Sequence, residues 1–214
     1  MSNTEYKPQY KRDLPHYQPP GMTLFVTTRL AGTLPRHVSA ALRADAVKKR
    51  ALLQQESEDD PRYTDLLYEQ SKREFGAYDA TLDKSRFGPT WLCHPEIAAM
   101  VCKSIKYRDG RVYRLDAYVV MPNHIHIVFA PLKKDDDDYY SLASIMMSLK
   151  RWTAGKANDI LGRDGQFWQH ESYDHVIREG EWSRIITYVL NNPAKAGLVE
   201  SYEAWPWWFL REEW

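Results

Sequence analysis

Two histidines one residue apart, His124 and His126, lie inside the run Met121-Pro122-Asn123-His124-Ile125-His126-Ile127-Val128-Phe129. Successive strand side chains point to opposite faces. Both imidazoles therefore emerge on one face, with Cα atoms roughly 7 Å apart, while Ile125, Ile127 and Phe129 point the other way. Side-by-side imidazoles on a sheet suit a divalent metal ion. The spacing is common, however, and describes equally well one packed and one exposed strand histidine, so a second group must select between these readings.

That group stands in Tyr188-Val189-Leu190-Asn191-Asn192-Pro193, at the end of a segment starting near Glu181. Trp182, Ile185, Ile186, Val189 and Leu190 recur there at helical spacing. Residues four apart are separated by about 40° around a helix, so Tyr188 and Asn192 share a face and can address one object. Pro193 is expected to stop the helix just after Asn192.

His124-Ile125-His126 together with Tyr-x-x-x-Asn-Pro resembles the HUH single-tyrosine transposases, and most closely the REP-associated tyrosine transposases. The resemblance covers approximately residues 22–207. Its landmarks follow in the family's order: Phe25-Val26-Thr27-Thr28-Arg29-Leu30, Tyr118 through His126, Leu149-Lys150-Arg151-Trp152-Thr153, Phe167-Trp168-Gln169, Tyr173 through Arg178, Tyr188 through Pro193, and Ala196-Gly197-Leu198-Val199. Insertion-sequence members of the wider family place Gln where this chain has Asn192, which favours the REP-associated branch.

The resemblance implies a metal-dependent DNA endonuclease and strand transferase acting in DNA transposition and recombination. Its ligands would be His124, His126 and the side-chain oxygen of Asn192, holding Mg2+ or Mn2+, and its nucleophile Tyr188, leaving a 5′-phosphotyrosine and a free 3′-hydroxyl. The implied partner is single-stranded DNA beside a hairpin such as a repetitive extragenic palindrome. Lys150, Arg151, Lys156 and Arg178 are then expected to bind DNA phosphates, with His175 supporting the ligands. A monomer with Tyr188 acting in its own chain, or a homodimer sharing tyrosines, both fit. Two other classes compete: a domesticated hairpin-binding protein without cleavage activity, and a small metal-dependent hydrolase or cupin-like oxygenase. The second needs a further Glu and His, and gives Tyr188 and Asn192 no role.

The elements that must position these residues follow from patterning. The expected fold is α+β, and the resemblance makes it a ferredoxin-like sandwich: a central antiparallel sheet carrying the His-x-His strand, with helices on one face. Strands are expected over 22–29 and 112–120. Helices are expected over 37–56, 61–78, 95–106 and 140–158, the last burying Leu142, Ile145, Met146, Leu149 and Trp152. Lys133-Lys134 and the acids Asp135 to Asp138 read as a solvated loop, because like charges repel one another. Trp168 and Tyr173 read as wall residues, since large aromatic area is mostly used for burial.

With 214 residues and 43% hydrophobic content, the chain can build a sizeable core. The expected division is an N-terminal arm over 1–21, a catalytic domain over 22–200 and an aromatic tail over 201–214. A formal net charge of +0 removes any long-range electrostatic case for nucleic acid, leaving local basic faces to do that work. Cys93 and Cys102 have no metal-ligand spacing and read as packed thiols. No apolar run approaches a membrane span, and a cytoplasmic protein is expected.

Overall fold

The structure, a computed structural model, describes residues 6–7, 9–11, 15–57, 60–84, 88–135 and 138–212. Asp136 and Asp137 of the acidic run lie outside them.

The chain forms two compact units, residues 1–31 with 90–214, and residues 32–89. In the first, a short hairpin of β1 (Gln9–Lys11) and β2 (Pro15–Tyr17) precedes β3 (Leu24–Arg29). After the second unit come α3 (Pro95–Arg108), β4 (Tyr113–Val120) and β5 (His124–Pro131). A hairpin of β6 (Lys133–Asp135) and β7 (Asp138–Tyr139) leads to α4 (Leu142–Leu161), β8 (Tyr173–Val176), α5 (Trp182–Lys195) and β9 (Trp208–Leu210).

Five strands make one antiparallel sheet in the order β8-β3-β5-β4-β9, with the histidine strand β5 at its centre. The series β3-α3-β4-β5-α4-β8, folded in the order β8-β3-β5-β4, is the ferredoxin-like arrangement, to which β9 adds an edge. One sheet face is apolar: Leu24 and Val26 of β3, and Ile125, Ile127 and Phe129 of β5, join Ile97, Val101 and Ile105 of α3 and Ile145, Met146 and Leu149 of α4 in a single buried cluster. Strand β4 changes parity within that core. Leu115 pairs with Phe129 and Ala117 with Val128, so Asp116 is an inserted residue, and the bulge lets Leu115, Tyr118 and Val120 all reach the core.

Helices α3 and α4 cover that apolar face, as expected, whereas α5 packs on β4 and β5 from the histidine side. Pro95 opens α3 at its first turn, where a missing N–H costs nothing. The Ser141 hydroxyl accepts from Ser144 N to cap α4, and Gly162 at φ 60° closes it.

Several expectations are corrected. The described parts of the 133–139 segment are not loop: Lys133–Asp135 pairs antiparallel with Asp138–Tyr139, and Lys134 Nζ lies 3.9 Å from Asp138. Trp152 is 46% exposed, and the buried stripe of α4 continues instead through Thr153 and Ala157, which lie four and eight residues beyond Leu149. The aromatic tail, given no element from sequence, contributes the edge strand β9: Trp205 Nε1 donates to the Val120 carbonyl (2.9 Å), Val120 N to the Trp207 carbonyl (2.8 Å), and Arg211 N to the Asp116 carbonyl (2.9 Å).

Most consequential, Pro193 does not end α5, which runs on to Lys195. Proline removes only its own N–H bond, and so near the C-terminus the lost bond is a single one. Ala196 N still reaches the Asn192 carbonyl (2.9 Å) and Leu198 N the Pro193 carbonyl (3.0 Å), and the turn closes at Gly197 with φ 70°.

The second unit is a pair of long helices, α1 (Arg36–Ser57) and α2 (Tyr63–Lys84), in place of the shorter ones expected. Glu74 on α2 takes a bidentate contact from Arg50 on α1, at 3.0 and 2.6 Å. The unit's two ends meet: a Cβ on Gly88, itself at φ 80°, would collide with the backbone of Gly32 and Thr33.

Candidate active site

Register across β3, β5 and β4 fixes the surroundings of the two histidines. His126 pairs with Thr27 on one side and Val119 on the other, and His124 pairs with Arg29. Both imidazoles are buried, at 1% and 0% exposure. Burial holds the His124 imidazole far below its ordinary pKa, at about 3, and His126 well below its own, with the positive charge of Lys195 acting in the same direction on both. Both rings are therefore neutral, as metal ligation requires.

Hydrogen bonds orient them. Asn123 Oδ1 lies 2.6 Å from His124 Nδ1 and can only accept, which puts the ring proton on Nδ1 and leaves a lone pair on Nε2. Thr27 Oγ1 lies 2.7 Å from His126 Nδ1, and Asn192 Nδ2 lies 3.2 Å from His126 Nε2. An amide N–H there must donate, so His126 Nε2 also carries a lone pair, with its proton on Nδ1 toward Thr27. The two Nε2 atoms then face each other at 3.1 Å with no proton between them. Asn192 Oδ1 is buried with no hydrogen-bond partner among the described residues.

Two converging nitrogen lone pairs and an orphaned amide oxygen are the donor set of a divalent cation, and a separation near 3 Å is what two nitrogens ~2.1 Å from one ion adopt. His124, His126 and Asn192 thus fit a metal. Asn123 and Thr27 hold the outer nitrogens of the two imidazoles, as partners of metal-binding histidines do elsewhere.

Helix α5 delivers the other groups. Tyr188 is half-buried, its ring centroid 6.0 Å from that of His126 and 6.1 Å from that of Phe25, edge-on to both. Lys195 Nζ lies 4.9 Å from the Tyr188 ring centroid. In one chain, then, Tyr188, Asn192 and Lys195 share a helix face directed at the histidine pair.

The remaining residues singled out from sequence make contacts of their own. Lys150 spends its ammonium on the 169–172 loop, donating to the carbonyls of Gln169 (2.9 Å) and His170 (3.1 Å) and to Ser172 Oγ (2.7 Å). Arg151 is exposed and lines a groove of ≈ 380 Å³ between α4 and that loop, and exposed Lys156 stands 3.9 Å from Asp159. All three belong to α4, on the sheet face away from the histidines. Arg178 is half-buried after β8, and His175 pairs with Phe25 across β8 and β3 with Nε2 3.8 Å from Glu181 Oε2. Trp168 is buried and donates from Nε1 to Thr153 Oγ1 (2.8 Å), a wall residue as expected.

Phe25, Thr27, Asn123 and Lys195 carried no role in the sequence reading. Thr27 and Asn123 are visible only through cross-strand register and a side-chain bond. Lys195 was hidden by the expected stop at Pro193, although its spacing of seven from Tyr188 is a helical signal.

No protein-family model matches the chain. A REP-associated tyrosine transposase of Escherichia coli is 28% identical over 103 residues, which is 48% of this chain and 57% of that protein. A Haemophilus influenzae protein named provisionally for the same activity is 26% identical over 97 residues, 42% of this chain and 55% of that one. Over about half its length the chain is similar to REP-associated tyrosine transposases. The matched stretches span little more than half the length of these two relatives. Among solved structures, a REP-associated tyrosine transposase bound to a REP hairpin aligns with 93% of this chain and 80% of its own, at 19% identity and a TM-score of 0.49. Among the described residues no helix is long and apolar enough to cross a membrane.

Proposed function

We propose that this chain is a metal-dependent DNA nicking and joining enzyme that acts on single-stranded DNA through Tyr188. The observation that carries the reading is the placement, within one chain, of Tyr188 and Asn192 on a single face of α5 against His126, at 6.0 Å between rings and 3.2 Å between Asn192 Nδ2 and His126 Nε2. Tyrosine is the one nucleophile of the group, and a phenol with an ordinary pKa near ~10 needs a polarised electrophile to attack at neutral pH.

A divalent ion held by His124, His126 and Asn192 supplies, when bound, charge neutralisation at the scissile phosphate. The chain's own residues do the rest. Thr27 and Asn123 hold the imidazoles in the ligating tautomer. Phe25 and His126 fix the Tyr188 ring from its edges and restrict its approach to one direction. In the reaction the Tyr188 oxygen bonds to phosphorus as the bond from phosphorus to the 3′-oxygen breaks; the phenol proton goes to solvent and the 3′-oxygen takes one up. The phosphotyrosine keeps the phosphodiester energy, so a 3′-hydroxyl can reverse the step and rejoin the strand. Transposition or recombination at hairpin-forming repetitive palindromes is the role that follows from the relatives' name, and the single-chain placement of Tyr188 supports action in cis.

The test is incubation of the protein with a 3′-labelled single-stranded hairpin library and Mn2+, followed by a denaturing gel. A labelled band at the mass of protein plus DNA, absent with Tyr188→Phe, is expected. Hairpin binding without any adduct would replace this reading with that of a binding protein that does not cleave.

A further inference from the structure

We propose that Lys195 is a positioning residue of this site, a fixed cation that orients the Tyr188 ring and seats the scissile phosphate beside it; this rests on the nicking reading above. The first observation is geometric. Because α5 continues through Pro193, Lys195 stands seven residues after Tyr188, within about 20° of it around the helix. Its ammonium lies 4.9 Å from the Tyr188 ring centroid, inside the range where a cation is drawn to an aromatic face. The ring that must attack is thereby held on one side by Phe25 and His126 and on another by a positive charge.

The second observation concerns the neighbours of that charge. Lys195 stands three residues after Asn192 on α5, whose amide meets His126 Nε2 at 3.2 Å, so its charge would oppose a metal cation at the histidine pair. A lysine in the last turn of a helix complements the helix dipole, which accounts for its place in the sequence. The dipole does not account for an ammonium set over the Tyr188 ring. Two cations beside one another are stabilised when an anion enters between them, and a phosphodiester carries the required single negative charge. Lys195 thus weakens metal binding in the empty site and strengthens it once a DNA phosphate is present. It takes no part in the covalent change.

The experiment uses the full chain with Lys195→Gln, Lys195→Met and Lys195→Arg. Without DNA, Mn2+ affinity measured by electron paramagnetic resonance is expected to be tighter by about three- to tenfold in the Gln and Met variants, because a like charge has gone. A merely structural role for Lys195 would leave that affinity unchanged or lower it. With hairpin DNA and saturating Mn2+, the rate of adduct formation is expected to fall at least roughly tenfold in both neutral variants and to be restored to within about threefold by Arg. Lys195→Met keeps an apolar stem against Tyr188, so it separates the charge from packing. Adducts formed at the wild-type rate by the Gln or Met variant, or Mn2+ bound no more tightly by them, would overturn the proposal. If the wild type itself forms no adduct, the nicking reading fails, and the metal titration alone decides whether Lys195 acts on the site.

Discussion

The amide nitrogen of Asn192 stands 3.2 Å from His126 Nε2 while its own oxygen is buried and unmatched among the described residues, so α5 brings a third polar group to the two imidazoles of β5. This predicts that Asn192→Ala weakens Mn2+ binding more than ten-fold, on the order of 2 kcal/mol, with a smaller effect on the metal-free fold, because an orphaned polar group leaves the core as the ligand is lost. Isothermal titration with Mn2+ and thermal melts in chelator measure the two separately.

Thr27 makes the tautomer of His126. Thr27→Val keeps the shape of the strand and removes the hydroxyl at 2.7 Å from Nδ1. A fall of about ten- to hundredfold in metal affinity is expected, as for other partners of metal-bound histidines. Unchanged affinity would show that His126 is oriented by packing against Phe25 alone.

Acid should unfold the metal-free protein through its buried histidines. Both rings have folded pKa values below the ordinary 6.5, His124 at about 3, so the unfolded chain takes up protons that the folded chain refuses. Stability from these groups is fully present above pH ~6.5 and is lost as the pH falls from there toward ~3. Melting temperature in chelator is expected to drop across that window, and to drop less in His124→Gln with His126→Gln.

Lys150 and Arg151 are neighbours in sequence with different tasks. Lys150 ties down the 169–172 loop through three oxygens, whereas Arg151 is exposed beside the groove. If Arg151 contacts phosphate, Arg151→Gln lowers the slope of log affinity against log salt for hairpin DNA by about one. Lys150→Gln is expected to lower the melting temperature, with loss of about 1–2 kcal/mol, and to leave that slope nearly unchanged.

Hydrophobic and helical periodicity carry a good part of this molecule. Alternation along 124–129 is enough to put both histidines opposite Ile125 and Ile127, and i, i+4 spacing is enough to put Asn192 beneath Tyr188. What lies beyond local periodicity is not legible in the same way. Thr27 meets His126 across ninety-nine positions of chain, a relation set by strand register. Trp152 fits an i, i+3 stripe as well as Thr153 fits i, i+4, and the angle at which α4 crosses the sheet decides between them. Pro193 marks a helix end only when its lost bond matters, and in a last turn it matters little, so a rule about prolines conceals Lys195. The tail gives no sign that it will pair with β4, since four apolar residues after Pro206 fit an edge strand and a packed cluster alike.

The collision that a side chain on Gly88 would meet at Gly32 means that residues 32–89 leave and rejoin the chain at a single point. A helical hairpin inserted through so narrow a gate makes almost no demand on the spacing of what precedes and follows it. Its two helices, α1 and α2, can therefore change in length while the chain still leaves and returns through the Gly32–Gly88 contact.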